Sequence, residues 1–126
     1  MKKVEENTKG INWNTKENKQ LIEAILALRN IDEAKRFLRD LMTEGEIQEF
    51  ANRLEAARLL SRDVQYSAII ENTGLSSTTI ARISKWLKGP LGGYRLILNR
   101  ITPNQSKLGT GHSNSSKLRK GLCLNL

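Results

Sequence analysis

Residues 66–88 read YSAIIENTGLSSTTIARISKWLK. Two apolar-periodic runs, Tyr66–Asn72 and Ser76–Lys88, flank the turn Thr73-Gly74-Leu75. Two short helices that cross steeply over a tight turn need a residue there that is free to take a positive φ, and Gly74 supplies it. Ile69, Ile80, Ile83 and Leu87 fall at helical spacing and are expected to face inward, with Leu75 plugging the corner. The pattern predicts a helix-turn-helix.

What the second helix leaves outward is ordered along its length. Its front is small and polar: Ser76, Ser77, Thr78 and Thr79. Ala81 is small again, and Arg82, Lys85 and Lys88 follow as cations. Short residues allow a helix N-terminus to approach base edges, and the free backbone N–H groups there favour phosphate. Cations further along can reach the sugar–phosphate walls, as can Ser67 on the first helix. Serine and threonine are also ordinary helix caps, so this front turn alone does not separate groove entry from simple capping.

Outward from this motif the chain reads as helices throughout. Asn14 with Glu17 marks a first helix start, followed by Leu21, Ile22, Ile25, Leu26 and Leu28 at helical spacing. Asn30 closes that helix, and Asp32 opens a second whose stripe is Ala34, Phe37, Leu38, Leu41 and Met42. Thr43 and Glu46 have capping-box spacing before a third run with Ile47, Phe50, Ala51, Leu54 and Ala57 on one face. Asp63-Val64 break this run. Beyond the helix-turn-helix, Gly89-Pro90 is a stop, Gly92-Gly93 delays the next start, and a last helix covers Tyr94–Ile101. No segment alternates as a strand does, so the fold class is all-α. The expected organisation is a flexible N-terminal arm at 1–13, a helical domain at 14–101, and a basic low-complexity tail at 102–126 that composition predicts to be disordered.

The 126 residues suit one domain, and with 38% hydrophobic and 5% aromatic content a lone core is modest. Folds of this kind are often completed by a partner chain. The net charge is +8, but its placement says more. Residues 1–71 hold 12 Lys/Arg against 13 Asp/Glu, while residues 72–126 hold 9 Lys/Arg and no acid. This half is suited to a polyanion. The one cysteine, Cys123, excludes an intramolecular disulfide, and neither a leader-like nor a spanning apolar run is present. A cytoplasmic protein with no membrane partner is expected.

The run RLEAARLLSRDVQYSAIIENTGLSSTTIARISKWL resembles the tryptophan repressor superfamily, and its Trp-repressor-related (YerC/YecD-type) branch in particular. The residues that carry the likeness are Gln48-Glu49, Arg53-Leu54-Glu55, Ala57-Arg58, Thr73-Gly74 and Ser77-x-x-Ile80-x-Arg82. It extends over about residues 15–101 without a large gap. The resemblance implies a six-helix, intertwined homodimer, in which the first three helices and the last interlock with the partner and the helix-turn-helix units project outward. It also implies a sequence-specific regulator of transcription, a repressor, that binds double-stranded DNA.

The amino-acid-responsive repressor of that superfamily grips an indole ligand between two arginines, which Arg53 and Arg82 match, and Thr43 matches a threonine of the same site. Two departures stand beside these matches. Where that repressor has a glycine, leaving room for the ligand, this chain has Ile83, and where it has a serine this chain has Trp86. Overpacking of this kind typically costs about 1–3 kcal/mol. A vestigial pocket formed by Thr43, Arg53, Arg82, Ile83 and Trp86 is therefore expected, with no tryptophan corepressor and no cofactor.

An enzyme has little support: His112 and Cys123 stand eleven positions apart, with no acid in 72–126 to orient them, and no clustered metal-ligand spacing occurs. A helix-turn-helix that binds protein instead of DNA, or a ligand-responsive repressor, are the alternatives that the residues leave open.

Overall fold

The computed structural model describes residues 10–102, and among these it contains six helices and no strand. They are α1 (Lys16–Ala27), α2 (Ile31–Leu41), α3 (Glu44–Ser61), α4 (Tyr66–Thr73), α5 (Ser77–Lys88) and α6 (Gly93–Ile101). Each of the six expected helices is present. Residues 1–9 of the arm and 103–126 of the tail lie outside the described residues.

Side-chain caps set most helix starts, and two differ from the sequence reading. Thr15, not Asn14, caps α1: its Oγ accepts the Asn18 N–H, while the Asn14 N–H is taken by Asn12 Oδ1. Asn18 Nδ2 then donates to the Asn12 carbonyl and fixes this start. Asn30 does not close α1, which ends at Ala27. It opens α2 instead, accepting the Glu33 N–H, while Glu33 reaches back to the Arg29 N–H. Thr43 and Glu46 form the expected reciprocal capping box at α3. Such caps are each worth about 1 kcal/mol.

The break after α3 is a left-handed turn at a residue that is not glycine. Asp63 has φ +62, and it donates its N–H to Leu60 O while the Val64 N–H reaches Leu59 O. These two bonds satisfy carbonyls that the end of the helix would otherwise leave open. The next element can then begin at once, and α4 folds back.

α3 is the central element, packing on α4 and α5 and, less extensively, on α2; α4 also packs on α5. The core that forms here is small. It consists of Ala56 and Ala57 on α3, Ile69 on α4, Leu75 in the turn, and Ile80, Ile83 and Leu87 on α5. Paired alanines on α3 keep its surface low where two helices must lie against it. α6 follows Gly92, which has φ +75, and is a unit of its own with Leu98 as its buried residue.

α1 and α2 bury no residue at all within the chain. Leu26 is 79% exposed and Ile31 74%, and Leu21, Ile22, Ile25, Leu38 and Leu41 are exposed with them. The apolar stripes that the sequence places on these helices are therefore real but only partly covered in a single chain, where Leu28, Ala34, Phe37 and Met42 are half-buried.

Asp63 offers a direct test of the turn. Glycine at this position removes the cost of a left-handed conformation, so Asp63→Gly should stabilise by about 0.5 kcal/mol, and Asp63→Val should destabilise by about 1 kcal/mol or more. Urea denaturation followed by circular dichroism reads both, and equal midpoints for the two variants would refute the assignment.

Candidate nucleic-acid interface

The corner between α4 and α5 is built from Thr73, Gly74 and Ser76. Thr73 is buried, and its hydroxyl donates to Ile69 O at 2.7 Å and accepts the Leu75 N–H. Gly74 takes φ +75, and its N–H bonds the Ile70 carbonyl at 2.8 Å. Ser76 then caps α5: its Oγ accepts the Thr79 N–H and donates to Thr79 Oγ1. Four residues thus end one helix and begin the next, with the Gly74 and Leu75 N–H groups and the Ser76 carbonyl paired.

Behind this corner α5 is anchored by Ile80 and Ile83, which are wholly buried, and by Leu87. These three, with Ser84, define the inward arc. The opposite arc faces solvent, where Ser77, Thr78, Ala81, Arg82, Lys85 and Lys88 are all exposed. Thr78, Arg82 and Lys85 are spaced i, i+4, i+7, and so are Ala81, Lys85 and Lys88, so both rows lie on one face. The N–H groups of Ser77 and Thr78, in the first turn, have no intrahelical acceptor and point forward. Ser67 on α4 is exposed as well.

The expected interface residues are therefore together, with two qualified roles. Ser76 and Thr79 are committed to the cap, and Thr79 is half-buried. Arg82, Lys85 and Lys88 form no ion pair among the described residues, and from Asn72 onward the chain has no acid to offer them.

The residues matched to a ligand pocket fare differently. Arg53 is held by Glu49 on its own helix at 3.2 Å and lies over the Phe50 ring, 5.4 Å from its centroid. Thr43 is occupied by the α3 capping box. Ile83 is fully buried in the core, while Trp86 is 47% exposed in the single chain. Ser84 has no role in the sequence-based expectations. The signal for it is local: it interrupts the apolar set Ile80, Ile83 and Leu87 at a position that must face inward.

Among the described residues no cluster of three or more His, Cys, Asp or Glu could hold a metal, and no helix is long and apolar enough to cross a membrane. His112 and Cys123 lie outside the described residues.

Three helices meeting on α3, with α4 and α5 joined through a left-handed glycine, make this a helix-turn-helix protein whose fold is that of DNA-binding regulators. The family model described as Trp repressor protein matches residues 16–102, and the chain belongs to that family. It is 38% identical over 92 residues to the uncharacterised protein YerC of Bacillus subtilis (strain 168), covering 73% of this chain and 88% of that one. Among solved structures it is similar to a TrpR-like protein from Eubacterium eligens ATCC 27750, with TM-score 0.67 and 36% identity, covering 71% of this chain and 92% of that one. A Trp repressor candidate from Staphylococcus aureus matches with TM-score 0.65 and 33% identity, covering 70% and 88%. These place the chain in the YerC-type branch.

Replacing Gly74 tests whether its φ, and not its size, is what the corner needs. A Cβ added there meets nothing within 4 Å, so the penalty is conformational alone. Gly74→Ala should cost about 1–2 kcal/mol, and Gly74→Asn distinctly less, because asparagine tolerates the left-handed region. Thermal unfolding of the two variants should rank them in that order, and equal losses would mean that space, not φ, decides.

Proposed function

We propose that the protein is a sequence-specific transcriptional repressor of the cytoplasm, binding double-stranded DNA as a homodimer and without tryptophan as corepressor. The observation that carries this reading is the face of α5: a polar front turn followed by Arg82, Lys85 and Lys88, all exposed and none ion-paired among the described residues. In major-groove docking the front turn lies nearest the base edges, so Ser77, Thr78 and Ala81 read sequence. Arg82, Lys85 and Lys88, with Ser67 and the forward N–H groups, hold the backbone.

The exposed apolar faces of α1 and α2 support the homodimer. A second copy carries the same faces, and two-fold pairing covers both sets at once. For the corepressor, Ile83 supports the negative reading: its side chain stands in the core where a ligand needs space, and Arg53 is already engaged by Glu49 and Phe50. The recognition helices are then set by protein packing alone.

The test is a selection of sites from random duplexes, followed by salt titration of variants. Selected sites should be palindromic, with half-site centres about 34 Å apart. Lys85→Ala should weaken binding to every duplex alike and flatten the salt slope by about one unit. Thr78→Val should instead change which site is preferred. Added free tryptophan should leave the affinity unchanged. Identical behaviour of the two variants would overturn this docking, and a protein-binding module would select no site at all. Sedimentation equilibrium at micromolar concentration should give about twice the 14.2 kDa chain mass, and a stable monomer would remove the dimer.

A further inference from the structure

The turn that ends α3 and the last turns of α5 flank a half-open cleft of about 240 Å³, which shares only Lys88 with the DNA reading. Its apolar walls are Leu60, Val64 and Leu87, with Tyr66 beside them. Asp63 and Lys88 also line it, and Ser84 reaches it from the buried arc of α5. It is separate from the residues matched to the ligand pocket, none of which lines it.

Ser84 is the first unusual feature. It keeps only 9% of its surface, yet its hydroxyl makes no hydrogen bond to the described residues. A serine within a helix ordinarily returns its hydroxyl to the carbonyl four residues back. Among the described residues no side-chain polar atom is both sealed from solvent and unpaired. The Ser84 hydroxyl therefore keeps access to solvent, and Ser84 is one of the residues that line the cleft. Open to water, the hydroxyl carries no penalty for unpaired burial and is free to bond a polar atom that enters the cleft.

Asp63 and Lys88 are the second. They carry opposite charges at one cleft, and neither has an ion-pair partner among the described residues. The Asp63 backbone is pinned by the two hydrogen bonds of its turn, so its carboxylate is presented from a fixed point. A mixed-charge rim over an apolar floor, with one buried hydroxyl, is complementary to a dipole with a short carbon chain.

We propose that this cleft binds a small dipolar molecule, with an ammonium group toward Asp63, an anionic group toward Lys88, its carbon chain on Leu60, Val64 and Leu87, and a polar atom meeting Ser84 Oγ. A volume of about 240 Å³ suits a small ligand. Occupancy engages Lys88 and bridges α3 to α5. An effect on DNA follows only if the DNA reading holds, whereas the binding itself does not depend on it.

The full chain labelled with nitrogen-15 is titrated separately with β-alanine and with phosphoethanolamine, and no DNA is present. Saturable amide shifts are expected at Asp63, Val64 and Ser84 with at least one probe, and the probe that gives them identifies the anion as carboxylate or phosphate. Asp63→Asn keeps a residue tolerant of the left-handed turn, and Lys88→Gln keeps the length of the chain. Each should weaken binding at least tenfold while leaving the spectrum folded, and Ser84→Ala should weaken it too. No saturable shift with either probe overturns the proposal, as do shifts that persist unchanged in both rim variants. Either result leaves the site selection and salt titration of the DNA reading untouched.

Discussion

The pose of the recognition helix depends on the Thr73-Gly74 corner. One hydroxyl joins the last turn of α4 to the entry of α5, and one left-handed residue turns the chain between them. With that angle set, Ile69, Ile80, Ile83 and Leu87 can share the surface that Ala56 and Ala57 leave low on α3. The polar and basic arc of α5 is then outward by geometry, since an amphipathic helix that buries one arc must expose the other. Changing the corner would move every proposed DNA contact together.

Much of this was legible because the decisive signals are local. The Thr43–Glu46 capping box, the Gly74 turn and the Ile80–Ile83–Leu87 arc depend on spacings of three or four residues, which a sequence displays directly. The misplaced starts show the limit of the same reasoning. Asn14 and Thr15 are both good caps, and the choice was made by Asn12 and Asn18, whose side chains meet only after the chain has bent. Asn30 likewise reads as a stop or a start, and Glu33 reaching back to Arg29 decides it.

The site divides in the same way. The exposed face of α5 followed from periodicity. The surroundings of Arg53 did not, because a matched arginine carries no sign of whether it stays available. Here Glu49 lies one turn back and Phe50 lies beneath it, so its charge is already answered within α3. The cleft at Ser84 joins α3, α4 and α5 across more than twenty residues of chain, and no local pattern connects Asp63 to Lys88.

The bareness of α1 and α2 bears on how the molecule comes to be folded. α3, α4 and α5 are close in sequence and carry the core, so they can form early and within one chain. α1 and α2 have caps but bury nothing, and isolated helices of their length are marginal in water. Within one chain their caps and the packing of α2 on α3 are what support them. On the homodimer proposed above, a second copy would add its surface to these two helices, so their order, unlike that of the α3–α5 core, would vary with protein concentration.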